Sequence, residues 1–355
     1  VPAEGSLDTA SVSLIVSAYN EEDVILEKLK NTSQLAIPQG HFEVLIGSDG
    51  SNDATSEQIR SFIKEQPPHH PFQFFDFAER SGKAAVLNRL VQKAQGEILI
   101  FCDANTMLLK NALHQLLIPF AHPKVGGVCG KLTLKNSSNS PLSTGERFYW
   151  KMESEIKKLE GSMGSLIGAN GGLYAIRKPL FCSVPEDKRI VDDFFITTEV
   201  LKQGYRVLYE PLAIGREEMS LDKMGEFKRK ARIGEANFNY LMHFLKLLNP
   251  TRPLVAYCFC SHKLIRWFTP ILLIGVYALS ILYWRTDFVW SLLCYLQTGF
   301  YLSAGVGWYL QKKEQKRPLL FSIPYYFMAM NAALLTGFFR SFLKKKEGFW
   351  DTERR

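Results

Sequence analysis

Short apolar, β-branched runs recur along the first hundred positions, at Val12–Ser17, Phe42–Gly47, Phe72–Phe77 and Glu97–Cys102. Between them apolar residues return at helical spacing, over Glu21–Thr32, Asp53–Glu65 and Lys83–Ala94. Strand-sized runs alternating with helix-sized patterns predict βαβ units, a mostly parallel sheet and helices on both faces. In such sheets ligands bind beyond the carboxyl ends of the strands. A second block extends from about Val125 to Pro211. It holds a strand-like VGGVCGKLTL, a polar loop at Asn136–Ser143 and a helical pattern from about Gly145 to Glu160. A glycine-rich turn at Gly168–Gly172 and a helix opening near Asp193 complete it.

The pattern then changes. Over Glu226–Leu248, Phe227, Ile233, Phe238, Leu241, Phe244 and Leu248 oppose Lys228, Arg229, Lys230, Arg232 and Lys246. Such an amphipathic helix fits packing on its own domain and fits a membrane interface equally. Trp267–Trp284, Phe288–Leu310 and Leu319–Phe339 follow, each near the roughly 20 apolar residues that a bilayer crossing needs. The expected organisation is an α/β domain over 1–225, interface helices over 226–265, transmembrane helices over 266–340 and a basic tail over 341–355.

Composition sharpens this division. A mean hydropathy of -0.06 averages a polar domain with a lipid-facing part. The net charge of +8 gathers at Lys223–Arg232, Lys312–Arg317 and Lys344–Lys346, beside the apolar segments. Basic clusters in that position mark a cytoplasmic membrane face, so the expected partner is a bilayer and not nucleic acid. The loop QKKEQKR is then cytoplasmic, as is the α/β domain, and Arg285–Asp287 lies outside. For the tail the rules disagree, because the third span leads outward while Lys344–Lys346 favour the inside. The six cysteines lack metal-ligand spacing and read as reduced thiols. The chain begins at Val1 rather than Met, which leaves room for a preceding segment.

Polar residues concentrate where strands end. The first run closes in Ser17-Ala18-Tyr19-Asn20-Glu21-Glu22, suited to a base and ribose or to helix capping. The second closes in SDGSND, where Asp49 fits a uracil or ribose contact and fits an ordinary βα turn as well. Lys83 opens a helix against the dipole preference, which suits a diphosphate or a solvated first turn. This is not a P-loop, because the required spacing is absent. Asp103 and Asn105 share one face of an extended segment and make an oxygen-rich site for Mg2+ or Mn2+, with an Asx turn as the plain alternative. Asp192 and Asp193 are adjacent acids, so one carboxyl should be harder to ionise, which suits a base; capping by Asp192 is compatible with it. Arg229 and Arg232 share a helix face and fit a diphosphate or a lipid headgroup.

The ordered set SAYNEE, SDGSND, SGKAAVLN, DAN, GANGGLYAIRK, VDD and RKARI resembles the family 2 glycosyltransferases, which include cellulose, chitin, hyaluronan and poly-N-acetylglucosamine synthases. The resemblance implies a GT-A fold with a mixed sheet, a nucleotide-sugar donor (UDP-linked by preference), a divalent metal and an inverting displacement. By position it implies donor contacts at Tyr19, Glu21, Asp49, Lys83 and Arg232, metal ligation at Asp103, and Asp193 as base. The acceptor region would comprise Gly171, Gly172 and Asp192. It also implies an integral membrane protein, in a bacterium of the inner membrane, with a cytoplasmic catalytic domain. Two departures stand out. Asn105 replaces a common second acid, and Arg229-Lys230-Ala231-Arg232-Ile233 replaces a QxxRW motif, losing the tryptophan that stacks on a polymer. Extension of a glycan is the leading expectation, with other subunits of an export complex as partners. Single transfer to a lipid-linked acceptor and an inactive scaffold in such a complex are the alternatives.

Overall fold

The computed structural model of the chain describes residues 10–37, 40–65, 70–135, 144–186, 190–218, 223–313 and 318–343. The Asn136–Ser143 loop, Lys344–Lys346 and most of the QKKEQKR loop lie outside them. Strands β1 (Val12–Ala18), β2 (Phe42–Asp49), β3 (Phe72–Phe77) and β4 (Ile98–Asp103) alternate with helices α1 (Ile25–Ser33), α2 (Thr55–Glu65) and α3 (Lys83–Lys93). β1 runs parallel to β2 and β4, and β2 runs parallel to β3. Alternate residues of β1 face opposite ways: Leu14 and Val16 pack with Val44, Ile46 and Ile100 on one side, whereas Ile15 packs with Leu45, Leu99 and Phe101 on the other. Both faces are therefore covered, as a parallel sheet requires. Ser17 lies beside Asp103 and Ala18 beside Ser48, so these three strands end level.

The second half makes the sheet mixed, as the resemblance implied. It contains β5 (Thr106–Leu108), α4 (Ala112–Leu117), β6 (Val125–Lys135), α5 (Thr144–Ser162), β7 (Tyr174–Arg177), α6 (Asp192–Lys202) and β8 (Arg206–Glu218). Among the described residues the sheet order is β3-β2-β1-β4-β7-β6-β8-β5. β7 lies antiparallel between β4 and β6, and β5 pairs antiparallel with β8, although β6 still pairs parallel with β8. β7 is entered from the Gly168–Gly172 turn and not from a crossover helix beside β4, which frees it to run the other way. The result is a mixed sheet.

Helices α7 (Lys223–Asn239), α8 (Leu241–Phe244), α9 (Pro253–Cys258), α10 (Ile265–Leu282), α11 (Phe288–Lys312) and α12 (Leu319–Phe342) follow. A π-helical turn, Phe259–Leu264, joins α9 to α10. Part of the amphipathic face of α7 is covered by protein: Phe238 packs on Trp267, Phe268 and Phe338. Close approach is possible because Gly337 of α12 meets the backbone of Ala231 and Glu235, and Gly234 meets Leu334. Of the three expected spans, two are long and apolar enough to cross a membrane by length and composition, within Pro253–Leu282 and Leu319–Phe342. α11 has the length, but Gln297, Thr298, Ser303 and three glycines dilute its apolar character.

Candidate active site

The loops that leave β1 and β2 bind each other. Asn20 adopts a left-handed backbone, φ 52°, and its Oδ1 accepts from the Asn52 N–H at 3.0 Å. The Glu21 N–H donates to Thr55 Oγ1 at 2.8 Å, and the Ala54 N–H donates to Glu22 Oε2 at 2.9 Å. The ring of Tyr19 lies under the Arg80 guanidinium at 3.9 Å. Much of the polarity of SAYNEE and SDGSND thus builds the platform itself.

Asp49 is buried, and its two carboxylate oxygens accept from the N–H groups of Ser81 and Gly82 at 2.7 and 2.8 Å. Gly50 makes this approach possible, since a Cβ there would lie 2.8 Å from the Arg80 nitrogen. Asp49 therefore fastens the loop from which α3 starts, and the first side chain of α3 is Lys83. Lys83 Nζ lies 2.8 Å from Asp103 Oδ1 and 3.0 Å from Asp192 Oδ2. Burial opposes the charge on Lys83, but Asp103, Asp192 and Asp193 outweigh it and hold its pKa above the ordinary lysine value. The anion expected beside Lys83 is thus, in part, the protein's own carboxylates.

Asp103 ends β4 and faces Lys83 with one oxygen. Its other oxygen faces Gly171, where a Cβ would lie 3.5 Å from Asp103 Oδ2 and 3.3 Å from Asp193 Oδ2. The two carboxylates consequently share one cleft, no more than about 7 Å apart across Gly171. Asp192 and Asp193 open α6 in different directions. Asp192 turns to Lys83, while Asp193 Oδ1 accepts from the Phe194 N–H at 2.8 Å and leaves Oδ2 toward Gly171. The N-cap position of α6 is Val191 and no side chain caps it, so the capping anticipated for Asp192 does not form. Burial, then the neighbouring Asp192 charge, push Asp193 up to about 7; Lys83, the Phe194 N–H and Lys157 pull against that rise.

Gly168, at φ +83°, lets the turn lie against Phe194, whose ring a Cβ would meet at 2.5 Å. Gly172 faces away from the two acids, toward Glu217 and Thr106. Arg229 is exposed and Arg232 half-buried on α7. Lys157, whose charge acts on Asp193, was not anticipated. Its signal was a charged residue at a helix position in register with other buried ones, Glu153 and Glu160.

Among the described residues no group of three or more His, Cys, Asp or Glu side chains could hold a metal. Asn105 lies in the turn between β4 and β5, so the shared strand face anticipated for it and Asp103 is not formed. The Asp103 oxygen facing the cleft still fits a hard cation that takes most ligands from phosphates and water, as Mg2+ does.

Space at Gly171 yields a test. Gly171→Val would fill the gap between the two acids, so we expect transfer to fall by at least about tenfold, with misplacement of a reacting group as the cause. The melting temperature should stay within a few degrees, because the glycine is partly open to solvent and has no positive φ. Turnover and thermal unfolding of the pair of proteins check it.

Residues 13–181 match the family model described as glycosyl transferase family 2. Poly-beta-1,6-N-acetyl-D-glucosamine synthase of Staphylococcus aureus is 30% identical over 208 residues, 57% of this chain and 48% of that protein. The Staphylococcus epidermidis protein of the same name is 27% identical over the same length. The chain thus spans about half the length of these relatives. The mannosyltransferase PcManGT from Pyrobaculum calidifontis, solved with GDP-Man and Mn2+, superposes with a TM-score of 0.66 at 22% identity, covering 94% of this chain and 88% of that one. TarS of S. aureus, solved with UDP-GlcNAc, gives a TM-score of 0.52 at 15% identity, covering 92% and 89%. The fold is accordingly a GT-A-like mixed α/β sheet.

Proposed function

We propose that this chain, whose residues 13–181 match the glycosyl transferase family 2 model, transfers a sugar, with inversion, from a nucleoside diphosphate donor to a hydroxyl of a growing glycan at a membrane surface. The meeting of Asp103 and Asp193 across Gly171 carries this reading. Asp193 Oδ2 takes the proton of the acceptor hydroxyl, whose oxygen bonds to the anomeric carbon. The bond from that carbon to the diphosphate oxygen breaks on the opposite side, and its electron pair leaves with the nucleoside diphosphate. Lys83, held at the N-terminus of α3, contacts Asp103 and Asp192 and serves the departing phosphates. Tyr19, Glu21 and the Asp49 loop form the donor's base and ribose side, and Arg229 with Arg232 supply further positive charge from α7. Asp103 with Asn105 would hold Mg2+ or Mn2+, which when bound neutralises charge on the leaving group.

The membrane part of the reading rests on α10 to α12. Leu272, Ile274, Leu282, Leu296, Leu302 and Leu320 are all exposed, which is far more apolar surface than a soluble protein leaves in water. On α11, Trp290 and Trp308 stand eighteen residues apart, about 27 Å at helical rise, close to the ~30 Å hydrocarbon thickness. Lys312 and Lys313 sit beyond Trp308 and Tyr309, their amines 5.8 and 5.9 Å from those rings, as at a membrane interface. These features support a reading in which α11 lies in the bilayer with its two more apolar neighbours.

A panel of UDP- and GDP-sugars, assayed in lipid with labelled donor, tests the proposal. One donor should turn over, a chelator should abolish the turnover, and added Mn2+ or Mg2+ should restore it. A ladder of products supports glycan extension, and a single added sugar supports the lipid-linked alternative. Full turnover in chelator removes the metal from the proposal.

A further inference from the structure

Three charged residues of α5, Glu153, Lys157 and Glu160, are buried on one helix face at i, i+4 and i+7, with exposures of 7%, 7% and 3%. Buried charge is costly unless paired, and the partners come from two distant places. On one side stands His262 in the π-helical turn, itself 5% exposed. Its Nδ1 lies 2.7 Å from Glu160 Oε1, and its Nε2 lies 3.2 Å from Glu153 Oε1. Both ring nitrogens of His262 therefore face carboxylates. Lys263 and Arg266 reach the same Glu153 at 3.3 and 2.7 Å. Burial works against ionising Glu153, but the Lys263 charge, the His262 hydrogen bond and the Arg266 charge outweigh it and hold its carboxyl well below the usual range.

On the other side the same helix face grips the turn that bears Gly171. Glu160 Oε2 accepts from the Ile167 N–H at 3.2 Å, so one carboxylate joins His262 to that turn directly. Lys157 donates to Asn170 Oδ1. Asn170 in turn donates through Nδ2 to the Gly130 carbonyl at 2.9 Å, and its N–H reaches Cys129 Sγ at 3.1 Å. The next residue is Gly171, between Asp103 and Asp193.

We propose that His262 is a positioning residue: it seats α5 so that Glu160 and Lys157 hold the Ile167–Gly171 turn at the acceptor side of the cleft. The segment that leads into α10 thereby sets the geometry around Asp193. A π-helical turn is a fitting place for such a residue, since these irregularities are frequent at functional positions. The kinetic part of the inference rests on the transferase reading above; the structural part does not.

Amide hydrogen exchange on the full chain in lipid nanodiscs separates the two. In His262→Ala, amides of residues 165–173 should exchange roughly tenfold faster or more, whereas those of β1, β2 and β4 keep their protection. Lys157→Met, which cuts the link from the other end, should give the same local pattern. With a donor that the wild type turns over, both variants should lose at least about tenfold in kcat with little change in donor KM, since the donor side is untouched. Unchanged exchange in 165–173, or acceleration spread evenly over the sheet, overturns the proposal. A wild type that turns over no donor would defeat the transferase reading and leave the exchange result to decide the structural claim.

Discussion

Asp193→Asn should lower transfer by about a thousandfold or more, within the range that loss of a general base costs, while donor affinity stays within about twofold. The asparagine keeps the shape of the side chain and its contact with the Phe194 N–H, but it takes no proton. For the wild type, transfer should rise with pH and level off above about 7, where Asp193 is ionised. The same shift has a consequence for stability. Asp193 goes from 3.8 to about 7 on folding, so the unfolded chain ionises first and ionisation disfavours the fold. That penalty is absent below about pH 4, grows through the interval and is complete above about pH 7. Asparagine carries no such penalty. The inactive variant should therefore melt higher than the wild type at pH 8, and its advantage should vanish toward pH 4. Melting curves at the two pH values, beside a turnover assay, check both halves. Equal activity would remove Asp193 from the reaction, and equal melting at pH 8 would mean that its carboxyl is not held unfavourably.

Lys83→Met should lower turnover by at least about a hundredfold, because one residue serves the leaving phosphates and compensates three acids. Removing one partner of a fully buried pair costs about 3–5 kcal/mol. Lys83 is 30% exposed, so about 1–2 kcal/mol is the better expectation. That corresponds to a fall in melting temperature of roughly 2–8 °C. Because the folded lysine has a raised pKa, its contribution is complete below the unfolded value and disappears only in strong alkali. The loss in Lys83→Met is accordingly constant across neutral pH. Two further effects identify the cause. Without the amine, Asp193 binds its proton more tightly, so the plateau of any residual transfer moves to higher pH. Mn2+ titrated without donor should bind more tightly to the variant, since Asp103 loses a competing cation, while the nucleotide diphosphate binds more weakly. Weaker binding of both would contradict the arrangement.

The motifs were legible because their signals are local. Short apolar, β-branched runs between helical patterns predicted β1 to β4 with their intervening helices, and the acids fell at strand ends where a turn must follow. Their partners were harder to read. Asp49 looked like a nucleotide contact, yet its carboxylate fastens the Ser81 and Gly82 amides. Lys83 looked like an anion binder, and its nearest anions are Asp103 and Asp192. The amphipathic α7 looked equally suited to a membrane surface, while Phe238 packs on Trp267 and Phe338. In each case the residue type was informative and the identity of its neighbour was not.

Linear order alone carried the strand and helix alternation, the acids after β2 and β4, the paired acids opening α6 and the long apolar stretches, since each depends on residues within a turn or two of one another. Folding in three dimensions decided what meets what. The antiparallel entry of β7 sets the Gly171 turn beside β4, which brings Asp193 within reach of Asp103 although ninety positions separate them. The same folding carries His262 to Glu160, about a hundred positions away. Such pairings follow from strand order and helix packing, which respond to the burial of the whole chain and leave no mark on the local pattern.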